Sequence, residues 1–255
     1  MGDMVTSPSY RHVPTGRLAL LAQRMGRVFA SASTWYRLVR EREWRRPRLR
    51  IHPKGPKEGV RADEPNEIWH IDTTVVRLLD GTRAFVQAVI DNFSRRVLAW
   101  RVSDRRDAGT SVALLLEAGS AVDETLVPQL MADQGSENCN RKVDALVERG
   151  LLRRVLAMVD VAFSNSLIEA WWRSLKHNWL FLQQLDSVAA VRRHVAFYVE
   201  EHNTSIPHSA FQGQTPDEMY FGNGDGVPDR LADARAAARE LRLTRNRARQ
   251  CGVCA

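Results

Sequence analysis

Three carboxylates stand apart from their surroundings in this 255-residue sequence. Asp72 interrupts an apolar and β-branched run, with Ile71 before it and Thr73, Thr74 and Val75 after it. Aspartate is a poor strand residue, and a carboxylate buried there needs something positive to meet it. Asp133 closes the short apolar run 128–133 and opens into the polar loop Gln134-Gly-Ser-Glu-Asn138. Glu169 comes directly before Ala170-Trp171-Trp172, and 35 residues separate it from Asp133. Carboxylates drawn from three separate elements suit a hard cation such as Mg²⁺, which takes oxygen ligands and keeps several waters. Two such ions about 3.5–4 Å apart can activate an attacking oxygen and stabilise a leaving one in a phosphodiester displacement. Close carboxylates repel one another, so the cluster makes chemical sense with the metals in place. Taken singly, each has a plainer reading: Asp133 caps a turn and Glu169 is a solvated helix residue.

The elements that would carry these residues are legible from periodicity. Residues 67–79, 83–91 and 96–103 read as three antiparallel strands, the first two joined by the hairpin signal Asp80-Gly81. A helix is expected over 108–122, a short buried strand over 128–133, and a helix over 140–149 stopped by Gly150. A fifth strand at 151–157 follows, then helices over 165–180, with Ser164 as N-cap, and over 187–202. The order predicts an α/β fold with a mixed five-stranded sheet flanked by helices. On the helix of Glu169, Arg173 and Lys176 fall four and seven residues on, hence on the same face. They read as contacts for the phosphates of a bound strand or as helix-stabilising partners of the glutamate. Asn165 and Ser166 at the helix N-terminus add further phosphate donors. Trp171, Trp172 and Trp179 read as core or subunit interface rather than base-stacking groups, and His70 as structural.

Charge is distributed unevenly. Residues 1–60 carry 13 Lys/Arg against 4 Asp/Glu, residues 230–255 carry 7 against 2, and residues 61–229 carry 17 against 24. An acidic middle between basic ends suits a phosphate backbone held beside a cation centre, and equally a soluble protein with charged ends. Near the start, residues 1–15 read as loose. Helical patterns follow over 16–30 and 35–43, with Ser33 or Thr34 as N-cap of the second. Together they form a small N-terminal helical segment, 1–50, read either as a DNA-contacting helix-turn-helix using Arg37, Arg40, Arg45 and Arg46 or as a hairpin packed on the core. Residues 51–66, rich in Pro, Gly and charge, read as a linker, 67–222 as the core, and 223–255 as a basic C-terminal helix and tail, with 203–228 irregular and 229–250 helical. Three cysteines in a chain of this length do not form a disulfide framework, and Cys251-Gly-Val-Cys254 is a lone pair without further zinc ligands. No stretch approaches the ~20 apolar residues of a membrane span, and no signal peptide is evident, so the expected compartment is the cytoplasm, with the protein associated with the nucleoid.

The sequence resembles the DDE transposases of bacterial insertion sequences, in the integrase-catalytic-core group shared with retroviral integrases. The segments that carry the resemblance are Trp69-His-Ile-Asp72-Thr-Thr, Val89-Ile-Asp91-Asn-Phe-Ser94-Arg95, Asp133-Gln-Gly-Ser-Glu-Asn138, Phe163-Ser-Asn-Ser-Leu-Ile-Glu169, Ser174-Leu-Lys176, and Tyr198 through Asn203 to Pro207-His208. The D…D-35-E spacing is that family's signature. The resemblance covers about residues 60–222 and implies an RNase H-like fold. It further implies a catalytic and metal-binding triad of Asp72, Asp133 and Glu169 and two Mg²⁺ or Mn²⁺ ions. The implied activity is transposase or integrase chemistry: metal-dependent DNA cleavage followed by strand transfer. DNA is the implied partner, with a homo-oligomer on it and a separate helix-turn-helix partner protein. Gln134 stands where the family commonly has Asn, and the stretch before Glu169 lacks the usual Pro-Gly. A hydrolytic RNase H-like nuclease without joining and an inactive DNA-binding remnant are the alternatives.

Overall fold

A computed structural model describes residues 1–44, 60–120, 122, 126–132, 141–156 and 166–251. In chain order the helices are α1 (Gly2–Thr6), α2 (Thr15–Arg24) and α3 (Ala32–Glu41), and after three strands α4 (Ala108–Gly119), α5 (Arg141–Glu148), α6 (Ser166–Asn178), α7 (Val188–Glu200), α8 (Pro216–Tyr220) and α9 (Val227–Cys251). The strands are β1 (Ile68–Arg77), β2 (Arg83–Asp91), β3 (Val97–Ser103), β4 (Gln129–Ala132) and β5 (Arg153–Leu156). The chain divides into two compact units, residues 51–203 and residues 1–50 with 204–255.

Residues 51–203 build the sheet, in the order β3-β2-β1-β4-β5. β1, β2 and β3 pair antiparallel, as the hairpin signals require, while β4 lies parallel to β1 and β5 parallel to β4. This is the mixed five-stranded α/β sheet expected from the sequence. Each parallel step is bridged by a helix, because strands running the same way need a crossover. Alternation along β1 sends Trp69 and Ile71 to one face and Val76 to the other. The first face packs on α4 and α5 through Leu114, Leu115, Val143 and Leu146. The second packs on α6 and α7 through Ile168, Trp171, Trp172, Leu175, Val191, Val195 and Tyr198. A fully buried aliphatic side chain, such as Ile168 on one face or Leu114 on the other, contributes about 1.5–3 kcal/mol, so both faces are firmly covered. Asp72, two residues from Thr74 and four from Val76, lies on the α6–α7 face.

The turn between β2 and β3 is held from both sides. Asp91, fully buried, accepts at Oδ1 from the amide of Asn66 (2.8 Å) and at Oδ2 from the amide and hydroxyl of Ser94 (2.7 and 2.6 Å). Burial pushes its carboxyl above the ordinary value, and the bonds from Ser94 and Asn66 oppose that. Asn92 accepts from the amide of Ala62 and donates from Nδ2 to the carbonyl of Val60 and to Nε2 of His70. Residues 60–66 belong to the stretch whose composition reads as a linker, yet Ala62 is buried and hydrogen-bonded. A π-helical turn, Glu201–Ser205, follows α7, and its Asn203 accepts from the Val97 amide and donates to the Val97 carbonyl, both at 3.0 Å.

In the unit of residues 1–50 and 204–255, Trp35 of α3 and Leu18 of α2 are wholly buried with Val39, Met4, Val5 and Ile206. Three expectations change here. Residues 2–6 form α1 because Met4 and Val5 find a core to enter, so this stretch is not loose. α2 stops at Arg24, short of residue 30, because Gly26 takes a left-handed φ of 65°. α3 begins at Ala32, since Ser31 and not Ser33 or Thr34 is the N-cap, accepting from the Thr34 amide. The region 203–228 also holds a helix that composition hides: α8 opens with a capping box, Thr215 and Glu218 each accepting from the other's amide. Glu218 is tied further to Arg24, Nη2 to Oε1 at 2.6 Å and Nη1 to Oε2 at 2.9 Å.

Candidate active site

Asp72 sits in the middle of β1 opposite Ala88 of β2, half-buried. Its two carboxylate oxygens are held from two different elements. Oδ1 accepts the amide of Thr73, the next residue of its own strand, at 2.7 Å. Oδ2 accepts the indole N–H of Trp172 in α6 at 2.8 Å. On the other side, β4 runs parallel to β1 and ends with Ala132 beside Ile71. Ala132 is the residue before Asp133; Asp133 itself lies outside the described residues, as do Asn165, Arg45 and Arg46.

Helix α6 carries the rest of the described site. Ile168, Trp171, Trp172, Leu175 and Asn178 form its buried face. Glu169 lies in its first turn and is exposed, as is Arg173. Trp172 is three residues beyond Glu169 and Lys176 four beyond Trp172, so the three follow one another along the helix surface. Burial pulls the Lys176 ammonium below its ordinary value, while the nearby Asp72 carboxylate pulls the other way. The structure therefore brings Asp72, Trp172 and Lys176 together. Arg37 and Arg40 of α3 are exposed, and Arg37 pairs with Glu41 at 3.2 Å. Among the described residues no group of three or more His, Cys, Asp or Glu is gathered for a metal; Asp72 and Glu169 are two of the three expected ligands.

Trp172 is a site residue that the sequence does not single out. It is buried, as expected of a core tryptophan, yet its polar edge is turned to Asp72. Its spacing of three from Glu169 is the available signal. Trp171 is likewise buried, and Trp179 donates to the His194 carbonyl at 2.9 Å. His70 is buried against Asn92, and His202 lies 2.8 Å from the Arg95 carbonyl through Nε2. Cys251 ends α9, and Cys254 lies outside the described residues. No helix among the described residues is long and apolar enough to cross a membrane.

Two models of the integrase core domain match this sequence, over residues 62–166 and 159–216. The chain belongs to the integrase core domain family. The resemblance to insertion-sequence transposases read from its motifs is borne out by its relatives. A putative transposase InsK of insertion sequence IS150 from Escherichia coli is 22% identical over 65% of this chain and 58% of its own length. A 31.7 kDa protein of insertion element IS407 from Burkholderia multivorans is 26% identical over 88% of this chain and 79% of its own. Transposase InsF of IS3A from Escherichia coli is 27% identical over 62% and 55%. This integrase core chain thus spans little more than half the length of two of the three. In fold it is similar to the catalytic core of HTLV-2 integrase, solved in complex with magnesium, at a TM-score of 0.50 and 17% identity over 63% of this chain and 99% of that one. It is similar also to the simian T-cell lymphotropic virus intasome chain, at 0.54 and 17% over 83% and 72%. The RNase H-like expectation for the integrase core therefore holds.

Proposed function

We propose that this chain is a transposase or integrase catalytic subunit that cuts DNA and joins a freed 3′-OH to target DNA, with Asp72, Asp133 and Glu169 as its metal-binding triad. The observation that carries the reading is the state of Asp72. It is a half-buried carboxylate in mid-strand, facing the helix that bears Glu169, with the Thr73 amide on one oxygen, the Trp172 indole on the other and the Lys176 ammonium nearby. Such a group is costly in a sheet and is kept where its charge is used.

The donor set fits hard divalent cations. All three side chains offer oxygen alone, which suits Mg²⁺ or Mn²⁺ and not softer ions. A carboxylate oxygen has more than one lone pair, so accepting an N–H is compatible with a bond to a metal. Two ions, when bound, supply activation of the attacking oxygen and charge stabilisation of the leaving one. The residues of the chain do the rest. In the first reaction water attacks phosphorus at the element end, the P–O3′ bond breaks, and the 3′ oxygen takes up a proton. In the second that 3′-OH attacks a target phosphorus, loses its proton, and displaces the target's own 3′ oxygen, so one phosphodiester replaces another. Lys176 and Arg173 would meet the backbone phosphates beside the carboxylates, and Asn165 those at the helix start. Arg37, Arg40, Arg45 and Arg46 would hold DNA farther from the chemistry. Work on two DNA ends calls for a homo-oligomer, with a separate helix-turn-helix protein supplying recognition of terminal repeats. The site of action is the cytoplasmic nucleoid.

Products decide the matter. Purified protein is incubated with Mg²⁺, a plasmid target and a labelled duplex taken from the DNA flanking its gene. Label covalently joined to plasmid supports the proposal. Shortened duplex and nicked plasmid without joining would favour a hydrolytic nuclease.

A further inference from the structure

We infer that Trp172 is a positioning residue for the acidic site: its indole N–H fixes the carboxylate of Asp72 and, through it, registers helix α6 on strand β1. The inference rests on the function proposed above and gives one of that site's ligands a second support.

The bond is a neutral donor to a carboxylate at 2.8 Å, in the range of charge-assisted hydrogen bonds. An indole N–H donates and cannot accept, so its role here has one direction. With Oδ1 on the Thr73 amide and Oδ2 on the indole, the carboxylate is held at both ends and does not turn freely about its Cβ–Cγ bond. The donor is itself fixed. Trp172 is 5% exposed and belongs to the cluster beneath α6 and α7, with its ring tilted against Trp171 at 4.6 Å between centroids.

Trp171 supplies the contrast. It is equally buried, but among the described residues its Nε1 has no hydrogen-bond partner. Packing alone therefore leaves an indole N–H unused on this helix, whereas at Trp172 the N–H is aimed at the one carboxylate of β1. Glu169 lies three residues earlier, on the adjoining turn. A rotation or slide of α6 that displaced Glu169 would break the bond to Asp72, so a single contact keeps two of the triad in step.

Charge separates Trp172 from Lys176. Both approach Asp72 from α6. An ammonium competes with an incoming cation for the carboxylate. An indole carries no net charge; it steadies the carboxylate and leaves its affinity for a cation intact. Groups that orient metal ligands in this way commonly change metal affinity or activity by about 10–100-fold when removed.

The test uses the full chain labelled with ¹⁵N and follows its indole resonances, from seven tryptophans, during addition of Mg²⁺. The Trp172 resonance is the one missing from Trp172→Phe and displaced in metal-free Asp72→Asn. It should move as Mg²⁺ saturates the wild type and stay still in Asp72→Asn. Trp172→Phe, which keeps an aromatic ring without the donor, should bind Mg²⁺ about 10–100-fold more weakly by calorimetry, and Trp172→His, with a ring N–H, should recover part of that. Mg²⁺ binding by Trp172→Phe at wild-type affinity, or a Trp172 resonance unmoved at saturation, overturns the inference and leaves the proposed function standing. If Trp172→Phe does not fold, the wild-type and Asp72→Asn titrations decide alone. A wild type that binds no Mg²⁺ overturns the proposed function and this inference together.

Discussion

The indole N–H of Trp172 reaches Oδ2 of Asp72 across 100 residues of sequence, joining the helix of Glu169 to the central strand of the sheet at 2.8 Å. Lys176 completes that junction one helical turn further on, its ammonium attracted by the same carboxylate. Packing and electrostatics meet at this point of the fold, where an apolar helix face ends and a charged one begins.

Lys176→Ala and Arg173→Ala should each weaken binding of the protein to duplex DNA to a similar degree for any sequence. Each should also lower the steepness of log affinity against log salt by about one counterion, the signature of one lost phosphate contact. Affinities measured between low and moderate salt read this directly. An unchanged slope in both variants would remove these residues from the DNA path.

Asn203→Ala should destabilise the sheet unit without touching the acidic residues. The side chain satisfies both the N–H and the C=O of Val97 at the start of edge strand β3. Losing both leaves a buried donor and acceptor unpaired, a cost of about 2–4 kcal/mol. Urea unfolding gives the value, and Asn203→Asp, which sets a buried carboxylate oxygen against the Val97 carbonyl, should be no more stable than Asn203→Ala.

Asp91→Asn should be destabilising although it removes a buried charge. Three donors converge on the Asp91 carboxylate, from Asn66 and twice from Ser94. An amide nitrogen in place of Oδ1 or Oδ2 faces an N–H with no acceptor, at a cost of about 1–3 kcal/mol. A variant as stable as the wild type in urea would show that relief of burial outweighs the lost bonds.

The bond between Arg24 and Glu218 should make the unit of residues 1–50 and 204–255 sensitive to acid. Burial raises the Glu218 carboxyl, but the Arg24 guanidinium and the Thr215 amide outweigh it and leave the group below its ordinary value of 4.5. A carboxyl held lower in the folded state than in the unfolded chain adds stability above the unfolded value. That stability is lost as pH falls through the folded value. The pair should contribute about 1–2 kcal/mol at pH 7 and progressively less below about pH 4.5. Thermal midpoints against pH should show the fall in the wild type and a flatter curve in Glu218→Gln.

How far the sequence reaches can be judged from these same residues. The strand bearing Asp72 is legible because an aspartate between Ile71 and Thr73 breaks an otherwise apolar pattern. The buried face of α6 is legible from helical spacing. The division of labour between Trp171 and Trp172 is not, since adjacent tryptophans on one amphipathic helix look alike and the direction of an indole N–H depends on a strand far away in sequence. The clamp of Asn203 on Val97 is hidden for the same reason, with a separation of 106 residues between them. α8 can be found from Thr215-Pro-Asp-Glu218, a capping signature outweighed by the Gly and Pro around it. α1 cannot, because its two buried residues sit in a polar stretch and owe their burial to a core built elsewhere in the chain.

Asp72, Asp133 and Glu169 should act together as one metal-holding site for strand transfer. The decisive measurement is the joining of a labelled 3′-OH oligonucleotide duplex to plasmid in Mg²⁺ by wild type and by Asp72→Asn, Asp133→Asn and Glu169→Gln, with binding to the same duplex measured alongside. Joining is expected of the wild type and of none of the three variants, with duplex binding retained by all of them. Joining at wild-type rate by any one variant would contradict the triad.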